Sequence, residues 1–163
     1  MTMTSVDSHR SAFASGVVAP QPISLTRARH EATRATVADL MTSPPPAIEA
    51  TAPVGEVVHR FVSRGTTELV VTAGARPVGV ITARNLLAMV NPAPGTWRPR
   101  QAGDLVATRT TRLLPDLDIS AAVKVMSTDR VEAVPVVDRR GDLIGVVTHR
   151  HIIDRLAEAR RPS

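Results

Sequence analysis

The chain has 163 residues and a net charge of +5; 43% of its residues are hydrophobic, only 2% are aromatic, and none is cysteine. That length suits one ordinary domain or two small ones. The lack of cysteine excludes disulfides, thiolate metal sites and cysteine nucleophiles, and no apolar run reaches the roughly 18 residues that span a bilayer.

Residues 1 to 35 carry Ser, Thr, Ala, Pro and scattered charge with little periodicity. They are expected to form a mobile tail, read either as a loose terminus or as a partner-binding arm. Arg27 to Ala35 can form a helix that leads into the patterned segment beginning at Thr36. The tail has no continuous apolar stretch of the signal-peptide kind, so a soluble cytoplasmic protein is expected.

Val37-Ala38-Asp39-Leu40-Met41 reads as a short helical lead-in, stopped by Ser43-Pro44-Pro45-Pro46. Ala47-Ile48-Glu49 fits a short strand. Pro53 suits the first turn of a helix, and Val54, Val57, Val58 and Phe61 then share one apolar face. Arg64-Gly65 ends that helix. Glu68 to Thr72 and Pro77 to Thr82 read as strands around a Gly-containing turn. Ala83 to Val90 reads as a helix with Thr82 as its N-cap. Residues 91–101, with Pro92, Pro94, Pro99 and Trp97, form a linker.

The same order then returns. Asp104-Leu105-Val106 is a second lead-in, and Thr111 to Leu114 a first strand. Asp118 caps a helix with Ile119, Ala122, Val123 and Met126 on one face. Val131 to Val137 and Leu143 to Thr148 are strands around Asp138-Arg139-Arg140-Gly141, and His149 to Ala159 is a last helix. Asp39-Leu40 recurs as Asp104-Leu105, 65 residues on, and Thr82 recurs as Thr148, 66 residues on. Gly79-Val80-Ile81-Thr82-Ala83-Arg84 is echoed by Gly145-Val146-Val147-Thr148-His149-Arg150. The chain thus divides into a tail (1–35), a first repeat (36–90), a linker (91–101) and a second repeat (102–159). Each repeat is marginal alone, so the two should fold against each other.

Asp39-Leu40-Met41-Thr42, Val134-Pro135-Val136-Val137-Asp138 and the doubled Gly-hydrophobic-hydrophobic-Thr-x-Arg, in this order in both copies, resemble a tandem cystathionine-β-synthase (CBS) domain pair. The resemblance covers residues 36 to 157. It implies an α/β fold of two β-α-β-β-α repeats packed about a pseudo-two-fold axis. It also implies clefts for adenosine ligands such as AMP, ADP, ATP or S-adenosylmethionine, a homodimer, and a sensor that alters an unknown target protein and does no chemistry.

In the family pattern the threonine sits where the last strand enters a helix, where its hydroxyl and open N–H groups suit a phosphate. An aspartate one turn later holds the ribose hydroxyls. By position, the first copy offers Thr82 and Arg84, with Thr42 and Leu69 near a base site. The second offers Thr148 and Arg150, with Thr108, Ala133, Val134 and Pro135. Asn85 and His151 replace the aspartate. Charged hydrogen bonds contribute about 1.5–3 kcal/mol against about 0.5–1.5 for neutral ones, so each replacement is expected to weaken ribose binding roughly tenfold. With no local acid beside Arg84 or Arg150, the clefts are expected to be positive, read either as favouring phosphate or another anion or as solvated helix starts around a vestigial cleft.

Other constellations point less far. The arginines are scattered, and of the 20 Lys and Arg residues only Lys124 is a lysine. Nucleic-acid binding through Arg27, Arg29 and Arg34 is therefore the weakest reading. His149 and His151 diverge by about 200° on a helix, which argues against a metal. Asp116 and Asp118 are better explained by capping than by catalysis. Thr82 and Thr148 have no base to activate them, no P-loop is present, and no catalytic domain is expected on the short tail. Two readings stand: a regulatory pair binding an adenine nucleotide or similar anion, and a ligand-free dimerisation scaffold.

Overall fold

The structure is a computed structural model that describes residues 35–90, 101–106 and 110–158. The tail with Arg27, Arg29 and Arg34, the linker from 91 to 100, and Thr108 lie outside the described residues.

In the first half, α1 (Val37–Leu40) precedes β1 (Ala47–Glu49), α2 (Val54–Arg64), β2 (Glu68–Ala73), β3 (Arg76–Thr82) and α3 (Ala83–Val90). In the second, a 3-10 turn (Ala102–Leu105) precedes α4 (Ile119–Asp129), β4 (Ala133–Val137), β5 (Leu143–Thr148) and α5 (His149–Glu158). β1 pairs in parallel with β2, and β2 pairs antiparallel with β3 through Val70 and Val80. β4 pairs antiparallel with β5 through Val134 and Val147. Both hairpins slip register at the same point, after Val71 and after Val136.

The second half departs from expectation at its first strand. Instead of a strand over Thr111 to Leu114 there is one parallel bridge, Leu113 to Val136. Leu113 N–H donates to Pro135 O at 3.0 Å, and Leu113 O accepts from Val137 N–H at 2.9 Å. Two residues later Pro115 has no N–H to extend a ladder. The carbonyls of Pro115 and Leu117 accept instead from Ala38 and Val37, at 2.9 and 2.8 Å.

Those bonds carry α1 onto the second half. Val37 is fully buried among Leu113, Met126, Val134, Val136 and Val147. Burial of a valine contributes about 1.5–3 kcal/mol. In return, Ala102 and Leu105 are buried in the first-half core with Ile48, Val57, Leu69 and Ile81. Ala102 and Gly103 N–H donate to Ala52 and Ala50 carbonyls at 2.7 and 2.8 Å. Each lead-in, assigned by sequence to its own repeat, thus completes the other half's core. Units this small bury too little surface alone.

The repeated glycine follows from this exchange. A side chain at Gly79 would overlap Val106, and one at Gly145 would overlap Met41. Thr42 N–H donates to Val146 O at 2.9 Å and its carbonyl accepts from Val146 N–H at 3.2 Å, so the crossing chain lies directly on β5. A smaller cluster of Val70, Ala133 and Val146 joins the two sheets.

The helix faces largely match the apolar spacing. Val54 and Val57 of α2 and Ile119, Ala122 and Met126 of α4 are buried. Val123 is the exception, 45% exposed, because α4 presents that edge outward. Asp118 caps α4 by accepting from Ser120 N–H at 2.7 Å. Among the described residues no helix is long and apolar enough to cross a membrane.

Candidate functional site

β3 and β5 each end in a nearly buried threonine, and a helix begins at the next residue. Thr82 Oγ1 accepts from Asn85 N–H at 3.2 Å; Thr148 Oγ1 accepts from His151 N–H at 3.3 Å. The N–H groups of Ala83 and His149 donate to the carbonyls of Thr67 and Glu132, both at 3.0 Å. A helix start ordinarily leaves four such groups open. In each half two of the first three are therefore satisfied internally, so the supply of open donors is smaller than the sequence suggests.

Asn85 and His151 occupy equivalent positions but behave differently. His151 folds back over its own helix start, where Nδ1 accepts from Thr148 N–H at 3.3 Å. Its Nε2 lies 3.1 Å from Thr42 Oγ1. Because Nδ1 accepts, the neutral ring carries its hydrogen on Nε2 and donates it to Thr42. Thr42, grouped by sequence with the first copy, belongs instead with the second copy's helix start.

The expected lack of acids beside the arginines is corrected. Arg84 Nη1 lies 3.0 Å from Glu132 Oε1, an ion pair between the halves. Arg150 Nε lies 3.6 Å from Asp154 Oδ2, one helical turn on. Arg84 and Arg150 are mostly exposed, so each pair contributes no more than about 1 kcal/mol. Each carboxylate nonetheless offsets local positive charge.

Among the described residues, two clefts open where the halves meet. The larger, about 660 Å³, joins Thr82, Arg84 and Asn85 of the first half to Ala133 of the second. The smaller, about 500 Å³, joins Thr148 and Arg150 to Thr82 and Ala133. Both fall in the range of small-molecule pockets. Thr82 and Ala133 border both, so the clefts meet between the two helix starts. Leu69, Val134 and Pro135 are sealed in the interior and line neither cleft. The family resemblance places them beside a base; here their side chains belong to strands covered on both faces.

The structure adds residues that sequence reasoning missed. Asp129, Arg130 and Glu132 line the larger cleft, together with Thr110 and Thr111. They lie at the end of α4, in the short connection to β4 or in the segment before Leu113, and only the way the halves face each other brings them to Thr82. Asp154 had a readable signal, its i, i+4 spacing from Arg150. Among the described residues no three His, Asp or Glu side chains are grouped to hold a metal ion.

The CBS domain family matches residues 37–91 and 102–158. An uncharacterized protein of Methanopyrus kandleri is 28% identical over 99 residues, covering 60% of this chain; the chain spans about half, 50%, of that curated relative. Among solved structures, CBSX2 in complex with AMP is 24% identical, with a TM-score of 0.66 over 78% of this chain and 99% of that one. The CBS domain of a bacterial CNNM/CorC family Mg2+ transporter in complex with ATP is 20% identical, with a TM-score of 0.69 over 81% of this chain and 94% of that one. With two matched segments, a duplicated fold and crossed lead-ins, the chain belongs to the CBS domain family as a tandem CBS pair.

Proposed function

We propose that the chain is a regulatory CBS pair that binds an adenine nucleotide or similar anionic ligand and passes the bound state to a partner protein. The observation that carries this reading is the larger cleft. It joins Thr82, Arg84 and Asn85 from one half to Ala133 from the other, so an occupant would touch both halves. AMP and ATP in the solved neighbours support the ligand class. The bond between His151 and Thr42 favours one ligand per chain, since at the equivalent helix start the protein's own groups already satisfy one another.

A thermal-shift panel of AMP, ADP, ATP, S-adenosylmethionine and NADH tests the reading. Stabilisation grows as RT ln(1 + [L]/Kd), so a ligand with Kd near about 0.1 mM should register at millimolar concentration. Flat melting curves across the panel would reject it.

A ligand-free homodimeric scaffold is the second reading. Leu87 of α3 and Ile153 of α5, equivalent in the two halves, are 71% and 63% exposed. Light scattering on Leu87→Asp and Ile153→Asp tests whether they hold two copies together. A dimer that dissociates in these variants, with no ligand response, supports the scaffold.

A further inference from the structure

We propose that Arg130 is a phosphate-binding residue of the larger cleft, an assignment that rests on the nucleotide reading of that cleft. Arg130 follows α4 in the left-handed conformation, with φ of 54°. The equivalent residue of the first half, 65 positions earlier, is Gly65, with φ of 59°. The backbone requirement at the two places is therefore the same, and glycine meets it without strain. Arginine does not, since its Cβ crowds the following carbonyl in this conformation. Arg130 is also the only non-glycine residue with positive φ among those described.

The backbone there gains nothing from the side chain. Helix closure uses main-chain groups: Arg130 N–H and Val131 N–H both donate to Met126 O. The guanidinium makes no ion pair among the described residues. Its neighbouring carboxylates are engaged elsewhere, Asp129 accepting from Thr111 Oγ1 at 2.5 Å and Glu132 holding Arg84. What remains is position. Arg130 lines the cleft that also contains Thr82, Arg84 and Asn85, and among the described residues no carboxylate there is paired with it. A planar guanidinium binds two phosphate oxygens at once. The cleft is thus suited to a ligand with a phosphate chain, and a neutral nucleoside would leave Arg130 unused.

The test is calorimetric titration of ATP and of inorganic tripolyphosphate into the full chain, its Arg130→Gly variant and its Arg130→Lys variant, alongside thermal melts. Arg130→Gly is expected to melt at or above the parent temperature and to bind both probes at least roughly tenfold more weakly. Arg130→Lys should retain part of the affinity, because charge survives and the fork does not. Equal ATP affinity in the parent and Arg130→Gly overturns the assignment, as does a lower melting temperature for the glycine variant with unchanged affinity in Arg130→Lys. Tripolyphosphate binding that depends on Arg130, with no response to ATP, supports the assignment and overturns the nucleotide reading. Silence of the parent toward both probes overturns both.

Discussion

His151 Nε2 lies 3.1 Å from Thr42 Oγ1, 109 residues away in the chain, while Nδ1 of the same ring accepts from Thr148 N–H. One imidazole therefore ties the second half's last helix to the segment that crosses over from the first half. Asn85, its counterpart, makes no such tie among the described residues and lines an open cleft.

Replacing that imidazole changes what its helix start can bind. His151→Asp removes the Nε2 donor to Thr42 and supplies a carboxylate that can accept from two ribose hydroxyls. Calorimetry is expected to find one ATP per parent chain and two per His151→Asp chain. One site in both proteins would show that His151 does not limit binding. Thr42→Val, which loses only the cross-half bond, should lower unfolding stability by about 1 kcal/mol in urea titration.

The two glycines at the crossings should respond unequally to alanine. At Gly79 the obstacle is the branched Cβ region of Val106, which cannot swing aside. At Gly145 the nearest atom is the sulfur of flexible Met41. Overpacking costs about 1–3 kcal/mol, so Gly79→Ala should fall at the upper end and Gly145→Ala at the lower end of that range. Chemical denaturation of both variants measures the difference, and equal losses would contradict the crossing geometry.

Glu132 restrains Arg84 at the larger cleft. Glu132→Gln removes that acid while keeping the side chain's size. Because the pair is exposed, the melting temperature should change little. Anion affinity should rise a few-fold as Arg84 is released, and the gain should shrink with added salt. A weaker affinity in Glu132→Gln would mean that Glu132 itself contacts the ligand.

Three carboxylates make stability sensitive to acid. Asp39 is held below the ordinary value of 3.8 by donation from the Thr36 backbone and hydroxyl, Asp118 by Ser120, and Asp138 by backbone donors led by Asp142. Their folded-state values lie below their unfolded values, so the unfolded chain binds protons first as pH falls. Their contribution is complete above the unfolded value and is lost as pH drops through it towards the folded values. Melting temperatures should show no loss from these groups between about pH 8 and 5 and should decline below about pH 4. Asp118→Asn, which keeps a capping oxygen without the charge, should flatten part of that decline.

Much of the fold was legible because the chain states it twice. Apolar spacing located α2 and α4, and the Gly-hydrophobic-hydrophobic-Thr phrase located β3, β5 and the helix starts beyond them. Thr111 to Leu114 does not form a strand because Pro115 stops the ladder and the next carbonyls bond to α1, a pairing beyond local pattern. The site was legible only in part. Thr82 is legible as a cap and Thr148 caps its helix in the same way, while Arg84 and Asn85 line a cleft. Leu69, Val134 and Pro135, expected beside a base, have their side chains in the core, since position within a repeat does not say which face of a strand is covered.

Local periodicity was enough to read the duplicated unit and its helix and strand order, because these depend on neighbours along the chain. Packing of the halves against each other settles which lead-in completes which core, why Gly79 and Gly145 lie at the crossings, that Glu132 meets Arg84, that Thr42 meets His151, and that Arg130 lines the open cleft. Those pairings join residues from opposite halves. They arise when two units too small to bury their own cores close over each other, and no spacing within either repeat encodes the partner across that seam.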